Sequence, residues 1–287
     1  MSNFWQRALT GAVFVAVLVG CALGGRYSFL GLLFVVGTLG VREYAVLLQG
    51  RVLKPHVLTT MAAGVAILVA WCLIFLDIIP RNEEWMAAGI ILAAIVLYAT
   101  AEVILTPKMG LKNALIGLGG ILYINIGLCA FANIAFLRYG GQCNIAWPYC
   151  SNMVIGYFIL LWSSDTFAYL TGRAFGKTPL APKISPKKTI EGSIGGMVCT
   201  MGISYLLYRE IGLLEWYHWL GLAVVIVVFG TMGDLIESKF KRILDIKDSG
   251  NILPGHGGIL DRFDSLLFSA PFAFVFLYVS LLLSLPS

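Results

Sequence analysis

The chain has 287 residues, of which 59% are hydrophobic and 12% charged, against about 25% charged in an ordinary soluble domain. Water is therefore not its main solvent, and an all-α integral membrane protein is the expected class. The net charge of +5 is spread over short loops with no basic stripe, which argues against nucleic acid and for membrane lipids and an anionic substrate as partners.

A membrane-crossing helix needs roughly 20 mostly apolar residues, and about nine such stretches follow one another here. They run near 8–25, 27–49, 56–77, 85–105, 113–137, 151–172, 190–208, 216–234 and 265–284. The first contains Leu18-Val19-Gly20-Cys21, which resembles a lipoprotein cleavage box. Apolar spans continue to the end of the chain, so it reads as a span. The second is interrupted by Arg42 and Glu43, and the fourth carries Glu102 near its end. With a cytoplasmic N-terminus, Arg26, Arg81, Arg138 and Arg209 fall outside and the other sixteen of 20 Lys and Arg residues inside, as the positive-inside rule requires.

Cys21, Cys72, Cys129 and Cys199 lie within spans and read as small packing residues. Cys143 and Cys150 share the loop near 138–150, placed outside, where a disulfide can persist. Bridge formation predicts that the two thiols resist an impermeant reagent in non-reduced cells.

The chain reads as a single membrane-embedded domain over 1–287, with N-terminal helices in 1–150 and the polar chemistry in 151–287. No inverted repeat of the transporter kind is visible.

Asp165 lies inside the sixth apolar run. A carboxylate at that depth costs about 2.5–3.5 kcal/mol on insertion scales, so it faces a polar site or bonds a neighbouring helix. Helical spacing puts Trp162, Asp165, Tyr169 and Gly172 on one face. A basic loop follows, with Arg173, Lys177, Lys183, Lys187 and Lys188 and prolines at 179, 182 and 186. It suits either lipid head groups or restrained substrate phosphates.

From Asp234 the sequence reads as an interfacial helix, with Ile236, Phe240, Ile243 and Leu244 on an apolar stripe and Glu237, Lys241, Arg242 and Asp245 opposite. A glycine-rich loop, Pro254-Gly255-His256-Gly257-Gly258, then leads to Asp261, Arg262 and Asp264. Glycines let backbone amides approach a phosphate. Carboxylates at Asp234, Asp261 and Asp264 gathered at one level would need a cation, and hard oxygen ligands beside phosphate suggest Mg²⁺. His256 suits a metal, a phosphate or a loop hydrogen bond equally.

These residues closely resemble the phosphatidate cytidylyltransferase family, the CDP-diacylglycerol synthases. The signature is carried by Ser238, Phe240, Lys241, Arg242, Lys247, Asp248, Gly250, Leu253, Pro254, His256, Gly257, Gly258, Asp261, Arg262 and Asp264. Asp165, Gly172-Arg173 and Ser185-Pro186-Lys187-Lys188-Thr189-x-Glu191-Gly192 extend it upstream. The resemblance implies attack of a phosphatidic acid oxygen on the α-phosphorus of CTP, with pyrophosphate leaving, at the cytoplasmic face of the cell inner membrane.

Asp234 and Asp261 are expected to hold metal, with Asp264 and Asp165 as further ligands or as acceptors behind them, and the resemblance implies a paired-cation site of Mg²⁺ with a monovalent ion such as K⁺. Asp234, Asp261, Ser238 and Lys241 become the catalytic set. Lys187, Lys188, Arg242, Lys247, His256, Gly257, Gly258 and Arg262 become the substrate-binding set. A CTP-dependent lipid kinase and an ion-coupled transporter are the rival readings, and the oligomeric state, a homodimer included, is left open.

Overall fold

The computed structural model describes residues 3–49, 53–80, 83–106, 108–137, 149–250, 252, 255 and 257–284. Its elements are α1 (Asn3–Leu23), α2 (Arg26–Leu48), α3 (Val57–Phe75), α4 (Glu84–Leu105), α5 (Gly110–Phe136), α6 (Ser151–Phe175), β1 (Pro179–Ala181), β2 (Ser185–Thr189), α7 (Ile190–Ile211), α8 (Trp216–Ile243) and α9 (Leu260–Leu283). Eight helices, α2 to α9, are long and apolar enough to cross a membrane, and α1 adds a shorter apolar stretch, Ala8–Leu23. The chain is thus a helical, multi-pass membrane protein.

Two details of the expected fold are corrected. Among the described residues no separate helix stands between the eighth span and α9, because α8 continues unbroken through Ile243. The sequence from Asp234 to Ile243 contains no glycine or proline to stop it. At 28 residues and 1.5 Å per residue, α8 is about 42 Å long, more than the roughly 30 Å hydrocarbon core. The helix stops at Asp245, in the left-handed region with φ 53°. Along this segment Ile236 and Ile243 are exposed and Leu244 is buried, while on the other side Arg242 and Asp245 are exposed and Glu237 is buried. Glu237 is buried beside Lys241, one turn further along the same helix, with which it forms a 2.7 Å ion pair that offsets part of its desolvation.

The second correction is the basic loop, whose strands β1 and β2 form an antiparallel hairpin pairing Pro179 with Thr189 and Ala181 with Ser185.

The chain divides into two compact units. The first comprises Met1–Cys129 and Ile246–Arg262. Its core is apolar, with Phe29, Ile67, Ile121, Ile124 and Leu128 almost fully buried. Helices approach closely where side chains are absent: a Cβ on Gly37 would lie 2.6 Å from Leu68, and one on Gly64 would lie 2.9 Å from Val41. Glu102, fully buried, is what makes the fourth span irregular in sequence. Its Oε1 accepts the His56 amide at 2.7 Å and the Thr59 hydroxyl at 2.8 Å, capping the start of α3. Asn113 binds both the N–H and the C=O of Lys54, at 3.0 and 3.1 Å. A polar pair within apolar helices thus ties down residues 54–56.

The second unit comprises Ala130–Asp245 and Phe263–Ser287. Trp219 is fully buried and lies over Gly156. The Tyr157 and Ser269 hydroxyls, both buried, share a 2.6 Å hydrogen bond. Helices α6 and α7 cross on small residues: a Cβ on Gly192 would be 3.0 Å from the Gly172 Cα, and one on Gly196 would be 2.9 Å from the Ala168 Cβ. Gly196→Val is therefore expected to force the helices apart, at about the 1–3 kcal/mol of an overpacked core. Thermal unfolding in detergent checks this, with Gly202→Val as control, since a Cβ there meets nothing within 4 Å.

Candidate active site

Within the second unit a cleft of about 460 Å³ opens among α6, β2, α7 and α8. Helix α6 contributes Ser164, Asp165, Tyr169, Gly172 and Arg173, and β2 contributes Ser185, Lys187, Lys188 and Thr189. Ser193 comes from α7, and Thr231 and Asp234 from α8. The face of α6 expected to look onto a site does so through Asp165, Tyr169 and Gly172, while Trp162 stacks on Phe158.

The hairpin that delivers the lysines is anchored at its base. Thr189 caps α7, its hydroxyl accepting the Gly192 amide at 3.1 Å. The Glu191 carboxylate accepts the amides of Lys177 and Thr178 at 3.1 Å. Strand β2 then runs straight into α7, so Lys187 and Lys188 are fixed relative to α6.

Lys188 Nζ meets Asp234 Oδ2 at 2.5 Å, with both side chains about 30% exposed. Ser238, one turn further along α8, donates to Asp234 Oδ1 at 3.1 Å. Asp234 is thereby oriented through both oxygens. Asp264, partly buried in α9, lies within electrostatic reach of Asp234, Asp165 and Lys188, and its Oδ1 accepts the Ser265 amide at 2.6 Å. Three carboxylates and one ammonium thus share this part of the second unit. Among the described residues no three His, Cys, Asp or Glu side chains form a ready-made metal cage.

Asp261 has partners of its own in the first unit. Its Oδ2 accepts the backbone amides of Ser249 and Gly258, both at 2.8 Å. Gly257 sits beside that oxygen at φ 82°, where a Cβ would run into it and where an L side chain is strained.

Of the remaining residues singled out in sequence, Lys241 pairs with Glu237, and Arg242, Lys247 and Arg262 are exposed. His256, Leu253, Pro254 and Cys143 lie outside the described residues. Sequence reasoning passed over Ser164, Ser193 and Thr231, which also line the cleft. Their one signal is polarity inside apolar spans.

A family model described as the cytidylyltransferase family matches residues 5–280. The chain belongs to the cytidylyltransferase family. Among curated members, this cytidylyltransferase is 34% identical over 283 residues to the phosphatidate cytidylyltransferase of Bacillus subtilis strain 168, covering 96% of this chain and 98% of that protein. It is 31% identical over 274 residues to the phosphatidate cytidylyltransferase of Staphylococcus epidermidis, covering 92% and 95%. The Staphylococcus haemolyticus protein of the same name is 51% identical over 116 residues, 40% of this chain and 44% of that one.

Proposed function

We propose that this cytidylyltransferase transfers the cytidylyl group of CTP to phosphatidic acid, giving CDP-diacylglycerol and pyrophosphate for phospholipid biosynthesis. The end-to-end similarity to proteins named for that activity supports the substrates. The observation that carries the assignment to a place is the cleft, where Lys187, Lys188 and Arg173 stand beside Asp165 and Asp234. A phosphatidate oxygen attacks the α-phosphorus, the bond from that phosphorus to the bridging oxygen of the β-phosphate breaks, and pyrophosphate leaves. Both reactants are anionic, so the chain's task is to hold them together and offset their charge. Lys187, Lys188 and Arg173 neutralise phosphate oxygens, Ser238 holds Asp234 in place, and the cleft sets the approach of the two substrates.

Asp234, Asp264 and Asp165, with Asp261 from the signature, are the acids we assign to cations, Mg²⁺ first. The donor chemistry fits: Mg²⁺ is usually bound by one or two carboxylates plus substrate phosphates, and Asp165 and Asp234 line the cleft beside Lys187, Lys188 and Arg173. When bound, the ion supplies neutralisation of the attacking phosphate and the triphosphate. The bias of basic residues supports a site on the cytoplasmic face, and the bacterial relatives support the inner membrane.

Purified protein given CTP, phosphatidate and graded Mg²⁺ is expected to release pyrophosphate only when all three are present. Release of CDP instead would establish a lipid kinase, and ion flux in liposomes without CTP a transporter.

A further inference from the structure

Glu43 has no part in the site described so far, yet it is the carboxylate of α2 and only 5% exposed. An acid at such a position is costly unless its partners are built in. They are. Glu43 Oε2 accepts the Leu260 amide at 2.8 Å and the Ser249 hydroxyl at 3.2 Å, across 217 and 206 residues of sequence. Those separations rule out a local turn device. Leu260 opens α9, so its N–H is one of those a helix cannot satisfy internally, and Glu43 caps it from another helix. Ser249 continues the connection, since its amide donates to Asp261 Oδ2 at 2.8 Å and its hydroxyl accepts the Asp261 amide at 3.4 Å.

The packing around Glu43 is equally specific. A Cβ on Gly250 or on Gly258 would run into Glu43 Oε1, and one on Gly258 also into the Ser249 hydroxyl. Two signature glycines therefore leave room for this side chain, in addition to any approach of a phosphate. Glu43, Ser249, Gly250, Gly258, Leu260 and Asp261 all belong to the first unit.

We infer that Glu43 is a positioning residue for the reaction: through the Ser249 hydroxyl and the Leu260 amide it fixes Ser249 and the start of α9 and, with them, the orientation of the Asp261 carboxylate. The inference rests on the reading of Asp261 as a cation ligand. Partners that orient a metal ligand typically cost about 10–100-fold in metal affinity or activity when removed.

The test compares Glu43→Leu, Glu43→Gln, Ser249→Ala and Asp261→Asn in the full-length purified protein. It measures kcat, KM for CTP, the half-saturating Mg²⁺ concentration, thermal unfolding, and deuterium exchange over 249–261. Glu43→Leu is expected to lower kcat about 10-fold or more, raise half-saturating Mg²⁺, and speed exchange at Gly258 and Leu260. Glu43→Gln, whose amide oxygen can accept the same two bonds, recovers most of the loss. If the leucine variant does not accumulate, Ser249→Ala severs the same connection and carries the same expectation. Unchanged kcat and Mg²⁺ dependence in Ser249→Ala and in the leucine variant would overturn the inference. So would activity that falls only in step with the amount of folded protein at an unchanged Mg²⁺ requirement. Should Asp261→Asn turn over like wild type, the cation reading of Asp261 fails instead. An inactive Asp261→Asn beside normal Glu43 and Ser249 variants sinks the role of Glu43 alone.

Discussion

Asp234→Asn is expected to accumulate in the membrane at the wild-type level and to lose more than about 100-fold in turnover, beyond the 10–100-fold typical of an outer-shell partner. The substitution is nearly isosteric. The asparagine oxygen can still accept the Ser238 hydroxyl that now reaches Asp234 at 3.1 Å, so α8 and the cleft keep their shape. What disappears is the negative charge facing Lys188 at 2.5 Å. A cation brought to the site loses a ligand, and Lys188 loses the partner that aims it. Pyrophosphate release per folded molecule, read beside the unfolding temperature, decides the matter. Wild-type turnover would remove Asp234 from the mechanism. A double-mutant cycle with Lys188→Gln then separates two roles. If Asp234 merely orients Lys188, the double variant is no worse than Lys188→Gln alone; if it also holds a cation, the losses compound.

The apolar runs and their order were legible because each helix must bury about 20 residues in hydrocarbon, and no tertiary contact can hide that pattern. The boundaries of α2, α4 and α6 follow from it directly. What escaped was the partner of each polar group inside those runs. Glu43 and Glu102 look in sequence like flaws in a span, yet each accepts a backbone amide that opens another helix, Leu260 and His56 respectively. Such pairings join residues far apart in sequence, and periodicity carries no trace of them.

The hairpin escaped for a related reason. Strands β1 and β2 are 3 and 5 residues long and stand on end bonds from Thr189 and Glu191, not on alternation of apolar residues. The run Thr189-x-Glu191-Gly192 held the signal, a capping residue with an acid in the first turn of a helix. Asp261 and Asp264, three residues apart, read as one pair, but their partners differ. The backbone amides of Ser249 and Gly258 hold Asp261, whereas Asp264 is placed among side-chain charges.

That difference sets up the second large effect. Asp261→Asn and Asp261→Ala are expected to separate charge from geometry. Oδ2 accepts both amides, and an asparagine oxygen in the same place can accept both. The Ser249 and Gly258 amides then keep their acceptor while the charge is gone, and turnover should fall by more than about 100-fold with little change in unfolding temperature. Alanine leaves the two amides without their acceptor. Hydrogen bonds to a charged group contribute about 1.5–3 kcal/mol each, so Asp261→Ala should lose activity and also unfold several degrees lower, with faster deuterium exchange at Ser249 and Gly258. An asparagine variant with near-normal turnover beside an unstable alanine variant would make Asp261 a structural cap and leave the cations to Asp234, Asp264 and Asp165. Loss of turnover in both, with instability confined to alanine, requires the charge itself, because the asparagine oxygen keeps the bonds from the Ser249 and Gly258 amides.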